Sequence, residues 1–318
     1  MLESSANCTG NIPRRKNIMT VKEEIQSLKK EKNAIILAHY YVPGEVQEIA
    51  DYIGDSFYLS KLATQTDADT LVLCGVSFMG ESAKILNPEK TVLLPDASAD
   101  CPMAHMADIE NIKKMRRQYS DLAVVCYINS TAELKRHADV CVTSANALKI
   151  VKSLPNKYIY FIPDENLGHY VAAQVPEKTF LFNDGRCPIH AQLTRQTLEK
   201  AKAAHPEAQV LIHPECTPEV LALADYIGST SGIIQYATQS AADSFIVCTE
   251  DGVLYELQQK NPQKHFYMVQ ENFSCPGMKQ ITLEKVRDAL KYNQPPVEVS
   301  EDLQKASLSP LYKMLELA

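Results

Sequence analysis

The chain lacks the features that would direct it to a membrane, a nucleic acid or a local metal knuckle. No apolar run approaches the ~20 residues that span a bilayer, and the first residues lack the apolar core of a signal peptide. With 32 Lys+Arg against 39 Asp+Glu the formal net charge is −7, so no basic excess is available to grip a phosphate backbone. An anionic small molecule remains compatible, because local dipoles and a few cations suffice to hold one. Among the 9 cysteines there is no Cys-x-x-Cys pair and no short loop carrying three. A closed structural zinc site and radical chemistry based on S-adenosylmethionine both need such clustering. The expectation is a cytoplasmic protein with no membrane or nucleic-acid partner, whose cysteines are metal ligands or core residues rather than disulfides.

What the chain does have is a long-period repeat. Cys101-Pro102, Cys187-Pro188 and Cys275-Pro276 are spaced by 86 (187 − 101) and 88 (275 − 187) residues. Ala50-Asp51, Ala138-Asp139 and Ala224-Asp225 keep nearly the same period, 88 and 86, and each is followed by a hydroxyl residue, Ser56, Ser144 or Thr230. Eleven residues before each Ala, an apolar run ends on His39, Tyr127 or His213, with Tyr41, Asn129 and Glu215 two residues further on. A period of this kind marks repeated structural units. Runs such as Thr70-Leu71-Val72-Leu73 and Ile159-Tyr160-Phe161-Ile162 are apolar without alternation, which suits parallel strands covered on both faces.

Length alone, at ~150 residues per domain, suggests two domains; the repeat indicates three. The predicted fold is α/β, with three homologous three-layer αβα units, parallel sheets and a pseudo-threefold axis around a central active-site cavity. The units are 20–104, 105–190 and 191–281, with a C-terminal helix 282–318 packing back on the first. Ligands of such sheets gather at the carboxyl ends of the strands, where His39, Tyr127, His213 and the three cysteines fall.

Cys74 and Cys248 share one repeat position at the end of an apolar run, and Cys126 and Cys141 lie in apolar strands, so these four read as core residues. Cys101, Cys187 and Cys275 share a loop position and read as metal ligands. Three thiolates leave an open position, as in a 4Fe-4S cluster whose free iron binds substrate, pointing to dehydration or condensation of an oxygen-rich substrate. A zinc-dependent aldolase or lyase and an iron-sulfur sensor are the alternatives. Ser56, Ser144 and Ser229-Thr230 precede helical patterns and form candidate sites for phosphate or carboxylate, against simple helix capping. Glu215 is the candidate general base, and His39, His190 and His213 are candidates for carboxylate binding or proton transfer.

Several strings resemble the quinolinate synthase family: Ala38-His39-Tyr40-Tyr41, Ile49 to Ser56, Pro163-Asp164-Glu165-Asn166-Leu167-Gly168, His213-Pro214-Glu215-Cys216 and Asp225 to Ser231. Phe78 to Leu86, Cys187-Pro188-Ile189-His190 and Cys275-Pro276-Gly277-Met278 extend the resemblance over about residues 20–290. The resemblance implies condensation of iminoaspartate, made by an L-aspartate oxidase, with dihydroxyacetone phosphate to quinolinate in NAD biosynthesis. It implies a 4Fe-4S cluster on Cys101, Cys187 and Cys275. It places His39, Tyr41, Ser56, Tyr127, Asn129, Ser144, His190, His213, Glu215, Ser229 and Thr230 around the substrate, with Glu215, Tyr41, His213 and Tyr127 as the catalytic set.

Overall fold

A computed structural model describes residues 19–318; Cys8 and the rest of residues 1–18 lie outside the described part. The first sheet holds β1 (Ala34–His39), β2 (Tyr52–Gly54), β3 (Thr70–Cys74) and β4 (Thr91–Leu93), in the spatial order β2-β1-β3-β4. The second holds β5 (Leu122–Tyr127), β6 (Val140–Val142), β7 (Tyr158–Ile162) and β8 (Thr179–Phe182), in the order β6-β5-β7-β8. The third holds β9 (Gln209–Ile212), β10 (Tyr226–Ile227), β11 (Ser244–Cys248) and β12 (His265–Met268), in the order β10-β9-β11-β12. All pairings within these sheets are parallel, and helices flank each sheet. The order reverses between the first and third strand of each unit, so a crevice opens beyond those strand ends.

The repeated Ala-Asp pair has a structural cause. Asp51, Asp139 and Asp225 each accept, at 2.7 Å, the backbone N–H of the residue 15 positions earlier: Ile36, Val124 and Val210. Each aspartate N–H returns a bond to the carbonyl of that same residue. The carboxylate thus sets the register in which Leu37 stands opposite Tyr52, Val125 opposite Val140 and Leu211 opposite Tyr226. A second repeat had no signal in the apolar pattern. Lys90, Lys178 and Lys264 each donate to two backbone carbonyls near the end of the unit's second long helical segment, Ala63/Thr66, Leu154/Asn156 and Ala237/Ser240.

β3, β5, β6 and β11 are buried along their whole length, as strands covered on both faces require. Cys74, Cys126, Cys141 and Cys248 are all fully buried in them. The first two units share one continuous apolar core, whereas the third carries two, one on each face of its sheet: Val210, Ile212 and Ile246 on one side, Leu211, Phe245 and Val247 on the other. The expected single C-terminal helix 282–318 is instead two helices. Helix Leu283–Tyr292 packs on the first helix, Val21–Glu31, with Lys291 paired to Glu24 at 3.0 Å. Helix Glu301–Leu317 instead lies across the seam of the first and second units, because Leu311 and Met314 are buried there and Ser307 donates to Ala132 O. Among the described residues no helix is long and apolar enough to cross a membrane.

Candidate active site

The strand-end loops of all three units open on one cavity, lined by residues of each unit. Cys101, Cys187 and Cys275 line it together. Each cysteine is the N-cap of a short helical turn that begins with proline: Pro102–His105, Pro188–Ala191 and Pro276–Lys279. Proline is preset for the first helical position and has no N–H to leave unpaired. The backbone amides of Met103 and Ala104, of His190, and of Gly277 and Met278 favour the anionic form of Cys101, Cys187 and Cys275 in turn.

The thiols also repel one another as anions. Burial, with Cys275 and Glu215 nearby, pushes Cys101 up to about 12; burial, Glu215 and Cys101 raise Cys187 well above its usual value. Three thiols lining one cavity, each beside amides that favour its anion, fit a thiolate-bound metal cofactor, whose positive charge would relieve that repulsion.

Two buried carboxylates hold the cysteine loops from behind. Asp164 accepts the N–H of Cys187 at 2.9 Å and that of Leu167 at 2.7 Å; Glu250 accepts the N–H of Cys275 at 2.9 Å and that of Gly252 at 2.7 Å. In the first unit Val76 holds the equivalent place, and Asp100, bonded by Ser77 and His105, serves the loop instead. Lys279 ties the third loop to the first unit, contacting Glu250 at 2.8 Å, Asp251 at 2.7 Å and Tyr41 O at 2.8 Å.

The other wall is a hydrogen-bonded network drawn from all three units. Glu215 Oε1 accepts from the Tyr127 hydroxyl at 2.6 Å, and Oε2 lies 2.7 Å from His190 Nδ1. Asn166 donates to the Glu215 backbone carbonyl, a support with no repeat partner to betray it. Burial opposes the Glu215 charge, but the His213 and His190 rings and the bonds from His190 and Tyr127 outweigh it, holding the carboxyl well below the usual range. Burial, reinforced by that charge, raises the Tyr41 and Tyr127 phenols well above theirs, so both stay protonated.

His39 and His213 share one local design. The ring Nδ1 accepts the backbone N–H two residues on, from Tyr41 at 3.2 Å and from Glu215 at 3.3 Å. That bond leaves Nε2 as the protonated nitrogen. Burial pushes both histidines down to about 3, so each is a neutral N–H donor. His213 Nε2 reaches Ser144 Oγ at 3.3 Å.

Every residue singled out in the sequence lines the cavity except Ser229. Its hydroxyl caps the helix Thr230–Gln239, accepting from Gly232 N at 3.2 Å, which is the simple capping role. In the first unit the cap is likewise Asp55 rather than Ser56, which leaves the Ser56 hydroxyl for the cavity. Thr143, which the sequence did not single out, adds a buried hydroxyl that has no partner among the described residues.

Fold and site define the class: a three-sheet α/β enzyme whose repeats contribute to one cavity, with thiols compatible with a metal cofactor at one wall and neutral proton donors at another. The profile described as Quinolinate synthetase A protein matches residues 23–316. Three relatives named quinolinate synthase are similar to nearly the whole chain. That of Caldicellulosiruptor saccharolyticus is 50% identical, covering 95% of this chain and 100% of its own. That of Clostridioides difficile is 50% identical over 93% and 97%, and that of Aquifex aeolicus 48% over 96% and 96%. The chain belongs to the Quinolinate synthetase A protein family.

Proposed function

We propose that this enzyme condenses iminoaspartate with dihydroxyacetone phosphate to quinolinate, releasing phosphate and water, in NAD biosynthesis. The observation that carries the reading is the convergence of three thiols and the Tyr127–Glu215–His190 network on one cavity. Cys101, Cys187 and Cys275 would hold a 4Fe-4S cluster, which when bound supplies a Lewis-acidic iron with an open position. Neutral His39 and His213 donate N–H bonds to substrate carboxylates, and Ser56, Ser144, Thr230 and Asn129 orient the phosphate and carboxyl groups. Glu215 is the general base, with Tyr41 and Tyr127 carrying protons to and from it. The three units, 20–104, 105–190 and 191–281, are related by a pseudo-threefold axis, which explains why each adds one thiol. A cytoplasmic setting and supply of the unstable imine by an L-aspartate oxidase complete the reading.

The test is an anaerobic assay for quinolinate from the two substrates with cluster-replete protein. Product formed by the wild type and lost in Glu215→Gln supports the assignment; no product, or an unaffected variant, overturns it.

One observation favours a second reading. Ligand atoms of Cys187, His190 and Glu215 lie within 4.8 Å of one another, a set that suits a single zinc ion in a lyase. Metal analysis after anaerobic purification separates the two: iron and sulfide in the cluster reading, stoichiometric zinc in the other.

A further inference from the structure

Thr249 follows β11, is fully buried and lies behind the cavity wall. Its Oγ1 is 2.8 Å from the Tyr41 hydroxyl and 2.9 Å from His190 Nε2. With His190 Nδ1 at 2.7 Å from Glu215 Oε2, and Tyr41 also 2.7 Å from Thr230 Oγ1, these contacts form one unbroken chain. We propose that Thr249 is a positioning residue that joins Tyr41 to Glu215 as one acid–base unit. The inference rests on the synthase reading above and extends it to a residue outside the cavity lining.

The proton positions follow from donor arithmetic. An ionised Glu215 only accepts, so His190 presents Nδ1–H to it. In the tautomer whose single proton sits on Nδ1, Nε2 accepts, and the Thr249 hydroxyl is its partner. Thr249, having spent its hydrogen, accepts from Tyr41 O–H, and the Tyr41 oxygen accepts from Thr230. All the bonds run one way, from Thr230 to Glu215.

A chain ordered in this way can pass a proton without moving a heavy atom. When the Tyr41 oxygen takes a proton from substrate, the electron pair of the broken bond stays on the substrate. The Tyr41 hydroxyl proton passes to Thr249, the Thr249 proton to His190 Nε2, and the His190 Nδ1 proton to Glu215. One negative charge moves from Glu215 to the substrate, and every intermediate group ends neutral. The reverse sequence returns the proton. Glu215 therefore acts on both sides of the cavity, through Tyr127 and through Tyr41. Only the third unit offers this link: Gly75 and Pro163, the residues following the equivalent strands β3 and β7, carry no hydroxyl.

The test compares Thr249→Val, isosteric but without the hydroxyl, with Thr249→Ser, which keeps it. In anaerobic turnover of cluster-replete protein, Thr249→Val is expected to lower kcat by about 10²-fold with KM changed by less than about threefold, while Thr249→Ser recovers most of the loss. Equal losses in the two variants, an unchanged kcat, or an effect on KM alone overturns the proposal. A second readout needs no turnover. In the full chain labelled with ¹⁵N-histidine, His190 should show protonated Nδ1 and a hydrogen-bonded, unprotonated Nε2 whose resonance moves in Thr249→Val and not in Thr249→Ser. A protonated Nε2 in the wild type, or no movement in Thr249→Val, overturns the link even if Thr249→Val folds poorly in bulk. Failure of the wild type to form quinolinate would overturn the synthase reading and leave the histidine spectrum to decide the network.

Discussion

Tyr127 donates its hydroxyl to Glu215 across the boundary between the second and third units, at 2.6 Å, with both residues buried. A charge-assisted bond of this length between buried groups both positions the base and lets one group report on the other. Glu215→Gln should lower kcat by about 10²–10⁴-fold, and Tyr127→Phe by less. Because the two share one proton, the double variant should lose less than the sum of the single losses. Anaerobic kinetics of the four proteins checks this; strict additivity would show that the bond does not matter to turnover.

Asp164 and Glu250 should matter to metal loading rather than to substrate. Replacing either by Ala leaves the amide of Cys187 or Cys275 buried without an acceptor, at a cost of about 1–3 kcal/mol, and frees the loop that presents the thiol. The expected outcome is a lower iron and sulfide content after anaerobic reconstitution, together with a lower melting temperature. Wild-type metal content in both variants would refute it.

Ser229 and Ser144 occupy neighbouring places in the sequence pattern but different places in the molecule. Ser229→Ala removes a helix cap and should cost about 0.5–2 kcal/mol of stability with kinetics unchanged. Ser144→Ala removes a hydroxyl from the cavity and should raise KM with little effect on stability. Denaturant titration beside steady-state kinetics distinguishes the pair, and the opposite pattern would reverse the two roles.

How much of this was legible in the sequence depended on repetition. The Cys-Pro triplet, the Ala-Asp pair and the residues ending the first strand of each unit recur at one period because each does the same structural work three times. Glu215 was visible as the one carboxylate in a threefold set. Thr249, Asn166 and the division of labour between Asp100, Asp164 and Glu250 were not, because a functional asymmetry leaves no period. Lys90, Lys178 and Lys264 do recur, but their partners are backbone carbonyls, which no side-chain pattern reveals. Ser229 misled for a related reason: a capping serine and a substrate-binding serine look alike until the amide that uses the hydroxyl is seen.

The neutral histidines make the protein sensitive to acid, and the sign can be worked out. Burial pushes His39 and His213 down to about 3 in the folded chain, against the ordinary histidine value of 6.5. Between those values the unfolded chain binds more protons, so their contribution to stability is full above 6.5 and is lost as pH falls toward 3, by up to about 1.4 kcal/mol per pH unit for each ring. Glu215, whose folded value is depressed, acts in the same direction once pH falls below its ordinary 4.5. Glu250, raised to about 7 by burial, and Asp164, also raised, act the opposite way in the same region. The wild-type slope is therefore a difference, and the variant His39→Gln/His213→Gln isolates the histidine part. Unfolding free energies from urea titrations between pH 7 and pH 5 should fall more steeply for the wild type than for the double variant. Parallel slopes would mean that the two rings take up protons in the folded protein as readily as in the unfolded chain, and would remove them as neutral donors to the substrate carboxylates.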